Sequence, residues 1–97
     1  MIEVRQTDLF VTWLSKLRDR NARMRIVARI RRMEAGSPGD WKAVGGGVNE
    51  MRIDWGPGYR VYYVHRDETI VILLCGGDKR TQHADIELAK TLAQEVR

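Results

Sequence analysis

Basic side chains gather where two short strands and the end of a third would meet. The strands read Val48-Asn-Glu-Met-Arg-Ile-Asp54 and Tyr59-Arg-Val-Tyr-Tyr-Val64, joined by Trp55-Gly-Pro-Gly58. A third run, Thr69-Ile-Val-Ile-Leu-Leu-Cys75, opens into Gly76-Gly-Asp-Lys-Arg80. The constellation is Glu50, Arg52, Arg60, Lys79 and Arg80, with His83 just beyond. Arginine keeps its charge at any working pH and presents a planar donor fork to phosphate oxygens. Lysine is a point charge suited to a leaving oxygen. Cleavage of RNA by its own 2′-hydroxyl needs a proton acceptor, a donor for the 5′-oxygen and charge stabilisation at phosphorus. These residue types can supply all three, with Glu50 or His83 moving protons.

Strand parity decides whether the groups meet. Met51 and Ile53 are natural core residues, which puts Glu50, Arg52 and Asp54 on the other face. Val61 and Tyr63 form the next core pair, leaving Arg60, Tyr62 and Val64 opposite. A five-residue loop from Trp55 to Tyr59 pairs Asp54 with Arg60 and Arg52 with Tyr62, so both arginines share a face. Ile70 to Cys75 is apolar on both faces, as a central strand should be, and Lys79 and Arg80 leave its end. A plainer account is that Arg52 and Arg60 neutralise Glu50 and Asp54 across an exposed face, at ~0.2–1 kcal/mol per pair. His65, before the Arg66-Asp-Glu68 turn, reads as a surface residue; His83 suits a cap, solvent or a catalytic role.

The remaining elements position this sheet. Ile2 to Arg5 alternates as a short first strand. Thr7 or Asp8 offers a helix N-cap, and Leu9, Phe10, Trp13, Leu14 and Leu17 recur at helical spacing. A turn around Asp19 leads to a second helix with the stripe Ala22, Ile26, Ile30 and Met33, ended by Gly36 and Pro38. The short connection implies an antiparallel helical hairpin. A loop around Trp41 is expected between Gly36 and Gly47, and a last helix from about Ala84 to Val96, with Asp85 and Glu87 in its first turn. The order is β-α-α-β-β-β-α: one α+β domain over 1–97, helices packed on one face of a small antiparallel sheet.

Composition sets outer bounds. Ninety-seven residues hold one hydrophobic core, and 43% apolar with 31% charged residues excludes a disordered chain. The formal charge of +4 suits an anionic partner. Cys75 is the one cysteine and lies in an apolar run, which implies a buried thiol and a reducing compartment. The N-terminal residues lack a signal-peptide core and no apolar run approaches a membrane span, so a cytoplasmic location is expected. Two histidines and one cysteine, far apart, give little support for a transition-metal site, and no cofactor is implied.

The helical hairpin carries further arginines. Arg25, Arg29 and Arg32 form a stripe beside the apolar one: a solvated face, or a surface that tracks phosphates. Gly45-Gly-Gly47 is a flexible turn and not a phosphate loop. Trp41 and Trp55 suit packing over the sheet edge or stacking on a base.

Gly46-Gly-Val-Asn-Glu-Met-Arg-Ile-Asp54, Gly56-Pro-Gly-Tyr-Arg-Val-Tyr-Tyr63 and Leu74-Cys-Gly-Gly-Asp-Lys-Arg-Thr-Gln82, in that order, carry a resemblance. The chain resembles bacterial toxins of the RelE/ParE superfamily, close to the HigB-like addiction-module killer proteins, over essentially its whole length. The resemblance implies a RelE-like fold and a metal-independent, ribosome-dependent mRNA endonuclease, paired in a hetero-oligomer with a helix-turn-helix antitoxin. It implies that Arg60 contacts the scissile phosphate, that Arg52 and Glu50 stand at positions of strand-borne nuclease residues, and that Lys79 and Arg80 end the last strand. Tyr62 and Gln82 join Arg25, Arg29 and Arg32 as RNA-contacting candidates. RelE carries a tyrosine in its last segment, where this chain offers Gln82, His83 and Ile86. ParE-like relatives keep the fold and inhibit DNA gyrase, the alternative function.

Overall fold

Residues 1–96 are described by a computed structural model; Arg97, the last residue of the expected domain, lies outside them. The order is β1 (Glu3–Gln6), α1 (Asp8–Lys16), α2 (Arg20–Glu34), β2 (Trp41–Gly45), β3 (Val48–Ile53), β4 (Tyr59–His65), β5 (Ile70–Asp78), a 3-10 turn (Lys79–Thr81) and α3 (Gln82–Glu95). The strands form one sheet in the order β1-β5-β4-β3-β2. β1 runs parallel to β5, and the other neighbours are antiparallel.

Local sequence sets most of these boundaries. Thr7 caps α1 by accepting from Phe10 N–H at 3.1 Å, and Asp19 caps α2 by accepting from Ala22 N–H at 3.2 Å. The stripe Ala22, Ile26, Ile30 and Met33 is buried as its spacing predicts, and the two helices form the expected hairpin. The segment around Trp41, expected as a loop, is instead the edge strand β2. Its side chains are mostly exposed, so it lacks the alternation that marks a half-buried strand. Gly46 and Gly47 both have positive φ, 63° and 79°, and close the two-residue turn that joins β2 to β3.

The helices do not share one face of the sheet, a second correction. Phe10, Ile26, Ile30, Met33, Met51 and Val61 pack between the hairpin and one face. Val48, Tyr62, Ile72, Leu74, Cys75 and Ala89 form a separate core under α3 on the other. The sheet is apolar on both sides at its centre, so each side requires a helix. A register shift in the β4–β5 pairing between Tyr62 and Tyr63 turns Leu74 and Cys75 into the same core.

Gly76 and Gly77 permit both contacts. A Cβ on Gly76 would overlap the Trp13 ring of α1, and one on Gly77 would overlap the Asp85 carboxylate of α3. The paired glycines thus let a helix approach β5 closely from each side.

Candidate anion-binding cleft

In the β3–β4 pairing Arg52 stands opposite Arg60, Glu50 opposite Tyr62, and Ile53 opposite Tyr59. The expected partners, Arg52 with Tyr62 and Asp54 with Arg60, are displaced by two residues. The connection is again five residues, Asp54 to Gly58, but begins one residue earlier because Asp54 leaves the ladder. Trp55 N–H then donates to Ile53 O at 2.9 Å and Gly58 N–H to Trp55 O at 3.1 Å. A slip of two preserves the face. Both arginines therefore project from the same side, as parity predicts.

Across β5 the pairings continue, Arg60 with Gly77 and Tyr62 with Cys75. Two parallel rows result: Glu50, Tyr62, Cys75, and next to it Arg52, Arg60, Gly77. Helix α3 begins at Gln82 and covers the first row, with Asp85 reaching over Gly77 of the second. Arg52 and Arg60 remain half-exposed. Chemistry and core thus occupy adjacent rows of one face.

The covered row corrects three expectations. Glu50 is fully buried, accepting from Tyr62 Oη at 3.1 Å and from Gln82 Nε2 at 2.8 Å through the same Oε2 atom. Its Oε1 atom is buried without a partner. Glu50 is thus no surface base. Tyr62 is buried as well, and burial, then the Glu50 charge, raises its phenol far above the ordinary value. Tyr62 stays a protonated donor inside the protein and offers no face to RNA. Gln82 is half-buried and spends its amide on Glu50. Cys75 is a buried thiol, as expected; burial, then Asp85, pushes it up to about 12.

The open row borders a cleft of ≈ 460 Å³ lined by Arg52, Arg60, Lys79, Asp40 and Asp54, and by the Gly56-Pro-Gly58 turn. Arg52 Nη2 donates to Asp40 Oδ1 at 3.0 Å; Arg60 Nη1 donates to the carbonyl of Gly58 at 2.7 Å. Each keeps a buried Nε–H without an acceptor. Lys79 is exposed and has no hydrogen-bond or ion-pair partner among the described residues. Two like charges directly opposite on paired strands repel, typically by ~0.2–1 kcal/mol. An anion between them would reverse the sign of that term.

Arg80 and His83 do not join the cleft. Asp78 holds Arg80 through a fork, Nε to Oδ1 at 3.1 Å and Nη2 to Oδ2 at 2.7 Å. This pair lowers the Asp78 carboxyl and raises the Arg80 guanidinium. His83 is exposed in the first turn of α3, outside the cleft lining.

The arginine stripe on α2 divides into three fates. Arg29 turns inward: Nη1 donates to Arg52 O at 2.6 Å, and Nη2 to Pro38 O at 3.0 Å and Asp40 O at 3.1 Å. It is a brace for the cleft wall, not an RNA contact, and burial lowers its pKa. Arg25 lies over the Trp55 ring, 3.9 Å from the centroid, while Trp55 Nε1 donates to Asp19 Oδ2 at 2.9 Å. Trp55 is packed against the hairpin and does not project for base stacking; Trp41 is exposed on the edge strand. Arg32 is exposed.

Sequence reasoning missed Asp40 as a cleft residue. It follows Gly-Ser-Pro-Gly in what reads as a plain turn, and only the β2–β3 hairpin brings it beside Arg52. A second concavity of ≈ 770 Å³, apolar and open, lies along the hairpin, lined by Val11, Leu14, Met24 and Val27 with Arg23 and Arg31. Among the described residues no group of three or more His, Cys, Asp or Glu is placed to hold a metal ion, and no helix is long and apolar enough to cross a membrane.

A model of the family described as Phage derived protein Gp49-like (DUF891) matches residues 12–96. An uncharacterized protein of Haemophilus influenzae is 52% identical over 95 residues, covering 98% of this chain and 96% of the relative. No solved structure matches.

Proposed function

We propose that this chain, which belongs to the Phage derived protein Gp49-like (DUF891) family, is the toxin of a type II toxin–antitoxin module. Its activity is endonucleolytic cleavage of mRNA on the ribosome, in the cytoplasm. The cross-strand pair of Arg52 and Arg60, with Lys79 at the rim of the same cleft, supports it most directly. The two forks embrace the nonbridging oxygens of a phosphodiester and stabilise the charge that grows on them as the 2′-oxygen attacks phosphorus. The 2′-hydroxyl proton passes to the Asp54 carboxylate, which lines the cleft. The bond from phosphorus to the 5′-oxygen breaks, and Lys79 donates a proton to that oxygen. A 2′,3′-cyclic phosphate and a 5′-hydroxyl result.

The resemblance to HigB-like toxins supports an antitoxin partner. The open apolar groove between α1 and α2 suits a segment of that partner with apolar residues on one side and acidic residues flanking them, opposite Arg23 and Arg31.

Mapping of mRNA 5′-ends after induction tests the reading: discrete cuts within codons are expected from the wild type and none from Arg60→Ala, whose Tm should stay unchanged. Intact transcripts under growth arrest would overturn it. One observation favours a second reading, inhibition of DNA gyrase without catalysis. Neither Glu50 nor His83 reaches the cleft, which leaves only aspartates as proton acceptors there. Loss of gyrase supercoiling activity with purified protein, alongside uncut mRNA, is its signature.

A further inference from the structure

Asp40 is held on the cleft from three directions. Its carbonyl accepts from Arg52 N–H at 3.0 Å and from Arg29 Nη2 at 3.1 Å, while its carboxylate accepts from Arg52 Nη2 at 3.0 Å. The preceding Gly39 has φ +78°, and a Cβ there would press on the Arg29 guanidinium, 2.8 Å from Nη2. This backbone, anchored to α2, brings a negative group to one of the two facing guanidiniums. Arg60 and Lys79 receive no carboxylate of their own among the described residues.

We propose that Asp40 is a specificity-determining residue, a resident carboxylate that holds Nη2 of Arg52 until a phosphodiester chain displaces it. This rests on the nucleic-acid reading of the cleft given above. The lining charges are three positive (Arg52, Arg60, Lys79) and two negative (Asp40, Asp54), 3 − 2 = +1. A lone phosphate gains from Arg60 and Lys79 but must compete with Asp40 for Arg52. A polynucleotide, held by phosphates on both sides of the cleft, brings the extra attraction that wins the exchange. The carboxylate therefore makes the cleft selective for an extended chain over free phosphate or a mononucleotide.

Fluorescence polarisation with a labelled single-stranded RNA decamer, competed by inorganic phosphate, tests this. Asp40→Asn, which keeps the backbone contacts and side-chain shape, should bind the decamer on the order of threefold more tightly. Phosphate should gain by more than the RNA, so the ratio of the two affinities falls. Asp40→Ala should shift both in the same direction, and neither change should appear in an Arg52→Ala background. Unchanged or weaker binding by both Asp40 variants, with Arg60→Ala still abolishing binding, would overturn the role of Asp40 and leave the cleft's function standing. Decamer binding indifferent to both Arg52→Ala and Arg60→Ala would instead remove the nucleic-acid reading itself.

Discussion

Arg29 of α2 donates to the main-chain carbonyl of Arg52 on β3 at 2.6 Å, so one arginine of the helical stripe fixes the backbone that carries another in the cleft. With its bonds to Pro38 and Asp40 it ties the hairpin helices, the loop before β2 and β3 together. Arg29→Ala removes a half-buried charged donor and leaves three carbonyls to find other partners. A loss of about 3 kcal/mol in urea unfolding is expected, and Arg29→Lys should recover only part of it, having no planar fork. Stability within about 0.5 kcal/mol of wild type, typical of a solvated face, would contradict the bracing role.

Glu50 joins β3 to the start of α3 and lies away from the cleft opening. Glu50→Gln keeps an acceptor for Tyr62 and Gln82 and should preserve the growth arrest proposed above. Glu50→Ala leaves two donors unsatisfied and should cost about 1–3 kcal/mol. Abolished growth arrest in Glu50→Gln with an unchanged melting curve would restore Glu50 as a proton carrier.

Burial raises the Cys75 thiol from 9.0 to about 12 and the Tyr63 phenol from 10.0 to about 12. Both groups hold their protons more tightly folded than unfolded, so their contribution is complete below about pH 9 and declines as pH rises towards 12. Stability measured by urea titration should fall across this window, and Cys75→Ala should flatten the first part of the fall. At the acid end the lowered Asp78 carboxyl acts in the opposite sense: its contribution is lost as pH drops below its unfolded value of 3.8.

Gly77 faces Asp85 too closely for a side chain. Gly77→Ala should displace the α3 N-terminus and destabilise the protein by about 1–3 kcal/mol. Because Lys79, which lines the cleft, lies just before that terminus, the proposed RNA affinity should fall with it; an unperturbed Tm would show that α3 does not seat on β5 through this contact.

Met24 is exposed beside the hairpin groove. Met24→Asp should leave the fold intact, within about 0.5 kcal/mol, while weakening co-purification with the antitoxin partner proposed above. Complex formation at wild-type strength would move the partner to another surface.

Much of the fold was legible in the chain. Period-2 and period-3.6 patterns gave β3, β4, α1 and α2, since a residue's face follows directly from its place in a strand or helix. The same parity set Arg52 and Arg60 on one side. β2 left no such mark, because an edge strand exposed on both faces needs no alternation. What the tertiary structure alone decided was which row of that side is covered. Glu50, Tyr62, Arg52 and Arg60 have the same parity, yet the N-terminal end of α3 buries the first pair and leaves the second half-exposed. Likewise Arg29 and Arg32 share one helical stripe and differ in role because only Arg29 reaches carbonyls brought near by the β2–β3 hairpin. Local periodicity specifies direction; depth depends on contacts between segments distant in sequence.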